Sequence, residues 1–254
     1  MFFSLEAGVI DIYISFVSDI DSSLLAKMLR TLSEGELETF GRYRHQPSRL
    51  EFIGGRYLCR NLLAYHLGSL PELIRFQKNG YGKLYLSGEN PIHALGTVQF
   101  NLSHSGGIVA CAVTPNYELG VDVEKVERPI FDIVERFFTP DEQRYVAQFP
   151  EAERNRAAYK LWTLKEAYIK AKGQGLAMPL DGVDVFGVKT EMFFVTLEPR
   201  SGYFLSIAAE RRDPPFRKRF RDINLQRLDD TVIDTNPVRK MTEFSLSDLS
   251  APVL

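Results

Sequence analysis

The sequence predicts an α+β protein built from two α+β halves within one chain. Two long stretches, Pro47–Leu67 and Glu151–Gly173, carry apolar residues at helical spacing. Each is followed by short runs rich in β-forming residues, which is typical of meandering antiparallel strands. Both halves therefore run through helices into strands, although their residues show no internal repeat.

The composition indicates a globular protein. Of 254 residues, 44% are hydrophobic and 25% are charged, and 31 Lys and Arg nearly balance 33 Asp and Glu. This balance does not favour a nucleic-acid-binding or membrane-binding protein. Met1–Ile10 lacks a basic segment, so we expect no signal peptide, no membrane span and a cytoplasmic location. Cys59 and Cys111 lie in apolar runs, which favours buried reduced thiols.

The first half is expected to span residues 1–115. Its opening segment Val9–Phe16 alternates with a period of two, which predicts a strand with one face buried. Ser33 and Glu36 form a capping box that predicts a helix start, and Gly68 marks the end of the long helix that follows. Four short strands are then predicted: Ile74–Gln77, Lys83–Leu86, Val98–Ser103 and Val109–Val113.

The second half is expected to span residues 116–228, because the turn-rich connection Thr114–Gly120 places the boundary there, ahead of the next predicted strand. Thr139 and Glu142 form a second capping box, with Pro140 at the first helical position. The predicted strands are Gly120–Val126, Val183–Val188, Met192–Leu197 and Tyr203–Ala209. Residues 229–254 have weak periodicity, so we expect a loosely attached tail.

Two acidic residues form a candidate metal site. Asp122 and Glu124 are two residues apart on a predicted strand, so both project from one face, and the glycine ahead of them allows another group to approach closely. A buried carboxylate pair needs a counter-ion, and Mg²⁺ prefers oxygen ligands. The alternative is an acidic pair that faces solvent on an edge strand.

The long helix of the second half carries another candidate cluster. Trp162, Glu166 and Lys170 are spaced at four, with Lys165 beside them, so an aromatic ring, an acid and two bases lie on adjoining faces. Glu166 is either a third metal ligand or a general base, and the two lysines suit phosphate oxygens. The alternative is an ordinary surface ion pair beside a core tryptophan.

The segment Phe100–Ser105 also suits phosphate binding. It reads FNLSHS and precedes two glycines, so Ser103 and His104 offer hydrogen-bond donors at the end of a strand. A serine hydrolase is disfavoured, because the glycines do not fit the G-x-S-x-G pattern.

Basic residues accumulate in the first half. They are Arg42, Arg44, Arg49, Arg56, Arg60, Lys78 and Lys83. Three of the arginines recur at spacings of seven and four on the predicted helix. They form either a positive stripe that holds a phosphate or a solvated helix face.

Together these motifs resemble the surfactin-synthetase type of 4'-phosphopantetheinyl transferase. The matching motifs are FNLSHS at Phe100–Ser105, GVDVEKV at Gly120–Val126 and W-x2-KEA-x2-K at Trp162–Lys170. They occur in the order and approximate spacing of that family, and the resemblance covers most of the chain. It implies two α+β halves related by a pseudo-twofold axis, with coenzyme A in the cleft between them.

The resemblance also implies roles for individual residues. Asp122, Glu124 and Glu166 are the implied ligands of Mg²⁺, with Mn²⁺ as an alternative. The implied contacts of the coenzyme A phosphates are Ser103, His104, Lys170, Lys83 and one of Arg44 or Arg49. Leu84 departs from the pattern, because the family usually has proline after its Gly-Lys step.

The implied reaction moves phosphopantetheine from coenzyme A, a co-substrate, to a serine of an apo acyl or peptidyl carrier protein. The catalytic residues would be Glu166 as proton acceptor, Lys170 at the pyrophosphate and Asp122 at the metal. Arg211–Arg221 is a candidate basic rim for the acidic carrier. We expect a monomer, because two fused halves remove the need for a dimer.

Two other functions fit parts of the pattern. One is a non-catalytic module that binds coenzyme A or a nucleotide, against which the intact carboxylates argue. The other is an unrelated Mg²⁺-dependent phosphohydrolase, although the sequence contains no P-loop.

Overall fold

The computed structural model describes residues 5–88, 98–187, 191–213, 215–228, 236–237 and 242–244. The chain divides into two compact units, each with its own hydrophobic core. The N-terminal unit comprises Met1–Asn79, Leu84–Asn116 and Arg217–Arg239. The C-terminal unit comprises Gly80–Lys83, Tyr117–Phe216 and Lys240–Leu254.

Helices and strands form separate blocks in both units, so the predicted α+β class is confirmed. The helices are α1 (Ser22–Thr31), α2 (Glu34–Arg42), α3 (Gln46–Leu67), α4 (Phe131–Phe137), α5 (Pro140–Ala147) and α6 (Glu151–Lys172). The strands are β1 (Val9–Phe16), β2 (Phe76–Lys78), β3 (Leu84–Leu86), β4 (Val98–Ser105), β5 (Ile108–Pro115), β6 (Leu119–Lys125), β7 (Met192–Glu198), β8 (Tyr203–Glu210), β9 (Arg217–Asp222), β10 (Asn236–Pro237) and β11 (Thr242–Phe244). Among the helices of the described residues, none combines the length and apolarity that a membrane crossing requires.

The two predicted capping boxes are confirmed. Ser33 caps α2 and Thr139 caps α5, and in each case the glutamate three residues on bonds back to the backbone of the cap. The long helices α3 and α6 end at Gly68 and Gly173, which adopt left-handed backbone angles of φ 65° and 68°. These boundaries follow from residues within one helical turn of each other, which is why local sequence predicts them.

A five-stranded sheet organises the N-terminal unit, in the order β10-β9-β1-β5-β4. Strand β1 is parallel to β9 and antiparallel to β5. It is buried on both faces rather than on one: Tyr13 belongs to the core that helix α3 fills, and Ile12 and Ile14 on the opposite face are buried as well. Its buried Asp11 accepts two hydrogen bonds of 2.6 Å from the guanidinium of Arg219 on β9.

Strand β9 differs from the expected division of the chain. Residues up to 228 were expected in the second half, whereas Arg217–Asp222 pairs with β1 of the N-terminal unit. At least one basic residue of this strand therefore forms an ion pair within the sheet, since Arg219 pairs with Asp11 of β1. Most of the predicted tail, residues 229–254, lies outside the described residues; its two described pieces are strands β10 and β11.

The C-terminal unit contains a four-stranded antiparallel sheet in the order β11-β7-β8-β6, with α6 packed against β6 and β8. The predicted strand Val183–Val188 is absent over its described part, residues 183–187. Instead, the N–H of Val185 donates to the carboxylate of Glu142 at 3.0 Å. A hydrogen bond to a side chain thus replaces the pairing that a strand would need.

Candidate active site

Strand β6 and helix α6 come into direct backbone contact at Gly120. A Cβ atom at this position would lie 1.9 Å from the carbonyl oxygen of Ala167 and 2.4 Å from the amide nitrogen of Ala171. Only glycine permits this approach. Because side chains alternate along a strand, Asp122 and Glu124 share the strand face of Gly120 and point to the side of α6.

Side chains on the same face of α6 make further contacts with β6 and β8. The Thr163 hydroxyl lies 2.7 Å from the hydroxyl of Ser206, the residue opposite Asp122 on β8. The Lys170 ammonium donates to Asp122 Oδ1 at 2.6 Å. Glu166 occupies the same helix face, one turn before Lys170. The structure therefore brings together the three predicted catalytic residues.

Burial and like charge act together on Glu166. Burial raises the pKa of this carboxyl, and the neighbouring carboxylate of Asp122 raises it further, while the Lys170 ammonium opposes the shift. Asp122 itself is only 3% exposed. Two acids and one base thus share a partly desolvated site, an arrangement found where proton transfer or cation binding is needed.

The donor set suits a hard cation. No group of three or more His, Cys, Asp or Glu side chains is preassembled as a metal centre within the residues that the structure describes. Asp122 and Glu166 nevertheless supply carboxylate oxygens from two elements, with Glu124 half-buried two residues further along β6. Mg²⁺ is usually held by one or two carboxylates together with substrate phosphates and water. The residues therefore fit Mg²⁺, and its binding stays a prediction.

Lys165 occupies a different environment from Lys170. Its side chain and that of Glu142 are both 0% exposed, and the two form an ion pair with an N–O distance of 2.6 Å. Lys165 also donates to the carbonyl oxygen of Val183. Contact with a phosphate would require the ammonium to leave these partners, so its predicted ligand role has no direct support. Trp162 is half-buried with its ring centroid 5.9 Å from that of Phe137.

Lys83 lies in the C-terminal unit, in the segment between β2 and β3. Its ammonium donates to the carbonyl oxygens of Leu119 at 3.2 Å and Ala171 at 2.8 Å. Burial lowers the pKa of Lys83 to about 8, with a smaller effect of the same sign from Lys172 and an opposing one from Glu118. Its position next to the ends of β6 and α6 was not expected from the sequence.

In the N-terminal unit, His104 is held by a residue that sequence reasoning missed. Glu51 on α3 lies 3.1 Å from His104 Nδ1 and accepts the N–H of Gly107 at 2.7 Å. Burial acts to raise the pKa of Glu51, but these two hydrogen bonds and the imidazole charge lower it overall. Glu51 therefore orients the exposed His104 ring, beside the buried Ser103. Its only sequence signal is a single acid within the arginine-rich helix.

Two of the three helical arginines, Arg56 and Arg60, line a pocket rather than a solvated stripe. Arg56 and Arg60 are 7% and 1% exposed and line a cavity of about 360 Å³, together with Arg75, Lys78 and Glu36. Arg60 binds the Glu36 carboxylate and the Pro71 carbonyl oxygen, the latter at 3.2 Å. The buried Nη1 of Arg56 has no hydrogen-bond partner among the described residues. Four cations against one carboxylate make this cavity suitable for an anion.

The two other predicted arginines lie elsewhere on the N-terminal unit. Arg44 and Arg49 are exposed, and neither lines the cavity. The Arg49 guanidinium lies 4.1 Å from the ring centroid of Phe40. Their predicted contact with the 3'-phosphate stays a prediction.

Comparison with known proteins matches both units to one family. Residues 20–116 match the family described as 4'-phosphopantetheinyl transferase, N-terminal, and residues 118–229 match the 4'-phosphopantetheinyl transferase superfamily. A weak similarity to the crystal structure of Thermotoga maritima holo-[acyl-carrier-protein] synthase covers 37% of this chain and 64% of that one, at 22% identity and a TM-score of 0.29.

Curated relatives carry the same name. The chain is 33% identical to 4'-phosphopantetheinyl transferase HetI of Nostoc sp., over 68% of this chain and 72% of that protein. It is 35% identical to a 4'-phosphopantetheinyl transferase of Bacillus subtilis, over 63% of this chain and 68% of that protein. The resemblance carried by the three motifs is thus confirmed, and the chain belongs to the 4'-phosphopantetheinyl transferase superfamily as an enzyme of that class.

Proposed function

We propose that this enzyme transfers 4'-phosphopantetheine from coenzyme A to a serine of an apo acyl or peptidyl carrier protein, in a Mg²⁺-dependent reaction. The observation that carries the proposal is the β6–α6 contact, where Glu166 has a raised pKa beside the Asp122–Lys170 pair. In the reaction the serine oxygen forms a bond to the β-phosphorus of coenzyme A. The bond between that phosphorus and the bridging oxygen breaks, and adenosine 3',5'-bisphosphate leaves.

Glu166 is the proposed acceptor of the serine proton. Its raised pKa makes it a stronger base than an exposed glutamate, and the carboxyl is only partly desolvated. Lys170 can donate to pyrophosphate oxygens from the same helix face, since its side chain remains 29% exposed while it is paired with Asp122. Bound Mg²⁺ would supply positive charge for the pyrophosphate, held by Asp122 and Glu166 with Glu124 nearby.

The N-terminal unit supplies separate features that suit phosphate groups. Glu51 orients His104, and the arginine pocket has an excess of positive charge and an unsatisfied buried donor on Arg56. An unsatisfied buried guanidinium donor is costly, and an anionic oxygen would satisfy it. The 3'-phosphate of coenzyme A is the compact anion that the proposed reaction offers to such a pocket.

The decisive experiment incubates the protein with coenzyme A, Mg²⁺ and an apo carrier protein. We expect the carrier to gain roughly 340 Da, the mass of one phosphopantetheine group attached to serine. A phosphohydrolase would consume coenzyme A and leave the carrier mass unchanged. A binding module would leave both the coenzyme A and the carrier unchanged.

Sedimentation equilibrium should give a mass near 28.9 kDa if the enzyme is a monomer, and a dimer mass would contradict that expectation.

A further inference from the structure

Lys83 connects the two elements that carry the catalytic residues. Its ammonium lies 3.2 Å from the carbonyl oxygen of Leu119, the first residue of β6, and 2.8 Å from that of Ala171, in the last turn of α6. Both acceptors are backbone atoms, so the contacts do not depend on the rotamers of other side chains. One ammonium group therefore bridges the start of the strand and the end of the helix.

The carbonyl groups at the end of α6 need hydrogen-bond donors from outside the helix. The last four carbonyl groups of a helix have no partner within the helix, and Ala171 belongs to this set. A cation at the C-terminal end of a helix also interacts favourably with the helix dipole. Lys83 meets both conditions at once.

The segment that carries Lys83 is itself packed against the residues after α6. A Cβ atom added to Gly175 would lie 3.3 Å from both the Cβ and the carbonyl oxygen of Tyr81. Gly175 has a positive φ of 54°, which a glycine adopts at little cost. Two independent contacts, at Tyr81 and at Lys83, thus hold this segment against the end of the helix.

We propose that Lys83 is a positioning residue, which sets the spacing of β6 and α6 and thereby the geometry of Asp122 and Glu166. The proposal rests on the proposed function, because that function makes these two carboxylates catalytic. It differs from the role implied by resemblance, in which Lys83 contacts the 3'-phosphate. The backbone contact at Gly120 lies between the Lys83 bridge and the two carboxylates. Loss of the bridge would let β6 and α6 separate at this contact, which would displace Asp122 and Glu166.

The test compares Lys83→Met with Lys172→Met, using coenzyme A and 3'-dephospho-coenzyme A as substrates. Lys172 is a matched control at the same helix end: it pairs at 3.1 Å with Glu118, the residue before β6, but through solvent-exposed side chains, and an exposed ion pair contributes little to stability. For Lys83→Met we expect kcat to fall by about 10- to 100-fold with both substrates, since small displacements of catalytic groups have effects of that size. Lys83→Arg keeps the donors and should recover part of the loss.

A second readout does not depend on activity. Hydrogen exchange of the full-length protein should be faster in Lys83→Met at the last turn of α6 and along β6, and unchanged in Lys172→Met. This measurement tests the positioning role even if no carrier is modified, so its failure and a failure of the proposed function are distinguishable. If Lys83→Met does not fold, Lys83→Gln is the milder variant, because it keeps an uncharged amide donor group on a shorter side chain and so weakens the bridge without removing every donor.

Two outcomes would overturn the proposal. In the first, Lys83→Met raises KM for coenzyme A alone, leaving 3'-dephospho-coenzyme A and the exchange rates unchanged; Lys83 would then be a phosphate ligand. In the second, neither the kinetics nor the exchange rates differ from those of the wild type.

Discussion

Replacing Gly120 with alanine should separate strand β6 from helix α6. The added Cβ would lie 1.9 Å from the carbonyl oxygen of Ala167, and real Cβ contacts essentially never fall below 3.0 Å. The two elements must therefore move apart by about 1 Å, because the obstructing atoms belong to the backbone and cannot rotate away. Asp122 and Glu166 lie on either side of this contact.

The effects of Gly120→Ala on stability and on the reaction rate can each be given a magnitude. Overpacking a well-packed site typically destabilises a protein by about 1–3 kcal/mol. For a chain of this length each kcal/mol lowers the melting temperature by roughly 2–4 °C. A displacement of about 1 Å at catalytic groups can cost about 100-fold in rate. We therefore expect a clear fall in melting temperature and a larger proportional loss of kcat.

The assay pairs thermal unfolding with carrier modification. Gly182→Ala is the matched control, since nothing lies within 4 Å of its Cβ position in the same unit. It should retain both the stability and the turnover of the wild type. If Gly120→Ala also keeps wild-type melting temperature and kcat, the two elements are not held at the spacing described here, and the account of the site is wrong.

Three further changes test single groups. Glu166→Gln should abolish transfer without lowering the melting temperature, since it removes a half-buried carboxylate whose charged form is disfavoured by burial and by Asp122; near-normal turnover would show that Glu166 is not the base. Glu51→Gln weakens the contact with His104, so KM for coenzyme A should rise several-fold while kcat changes little; an unchanged KM would contradict the orienting role. The lowered pKa of Lys83 predicts that stability depends on pH. This pKa is about 8 in the folded protein and 10.5 for an ordinary lysine, so between pH 8 and pH 10.5 the unfolded chain binds more protons than the folded one. Stability relative to Lys83→Met should therefore rise from pH 8 to pH 10.5, measured as the difference in melting temperature; a flat difference would show that the lysine is not desolvated.

Local features of the fold were predictable because their causes lie close together in sequence. The capping boxes at Ser33 and Thr139 each depend on a glutamate three residues away. The pairing of β9 with β1 was not predictable. It depends on Arg219 and Asp11, which are 208 positions apart, and the basic run resembled a solvated surface segment.

The candidate site likewise combines features that the sequence predicts with features that only packing decides. Strand alternation and helical spacing were enough to place Asp122 on one face of β6 and Glu166 with Lys170 on one face of α6. The two candidate phosphate-binding lysines of the long helix were indistinguishable in sequence, yet Lys165 pairs with buried Glu142 and Lys170 with Asp122. Which acid each lysine meets depends on packing between distant segments.

The sequence by itself determined the family, the α+β class and the residue types of the site, because motifs and periodicity are properties of the linear chain. The tertiary structure alone decided that α6 touches β6 at Gly120, that Lys83 binds carbonyl oxygens at the start of β6 and the end of α6, and that Arg56 and Arg60 line a pocket. These are backbone approaches and burial between segments far apart in sequence, for which a single sequence holds no local signal.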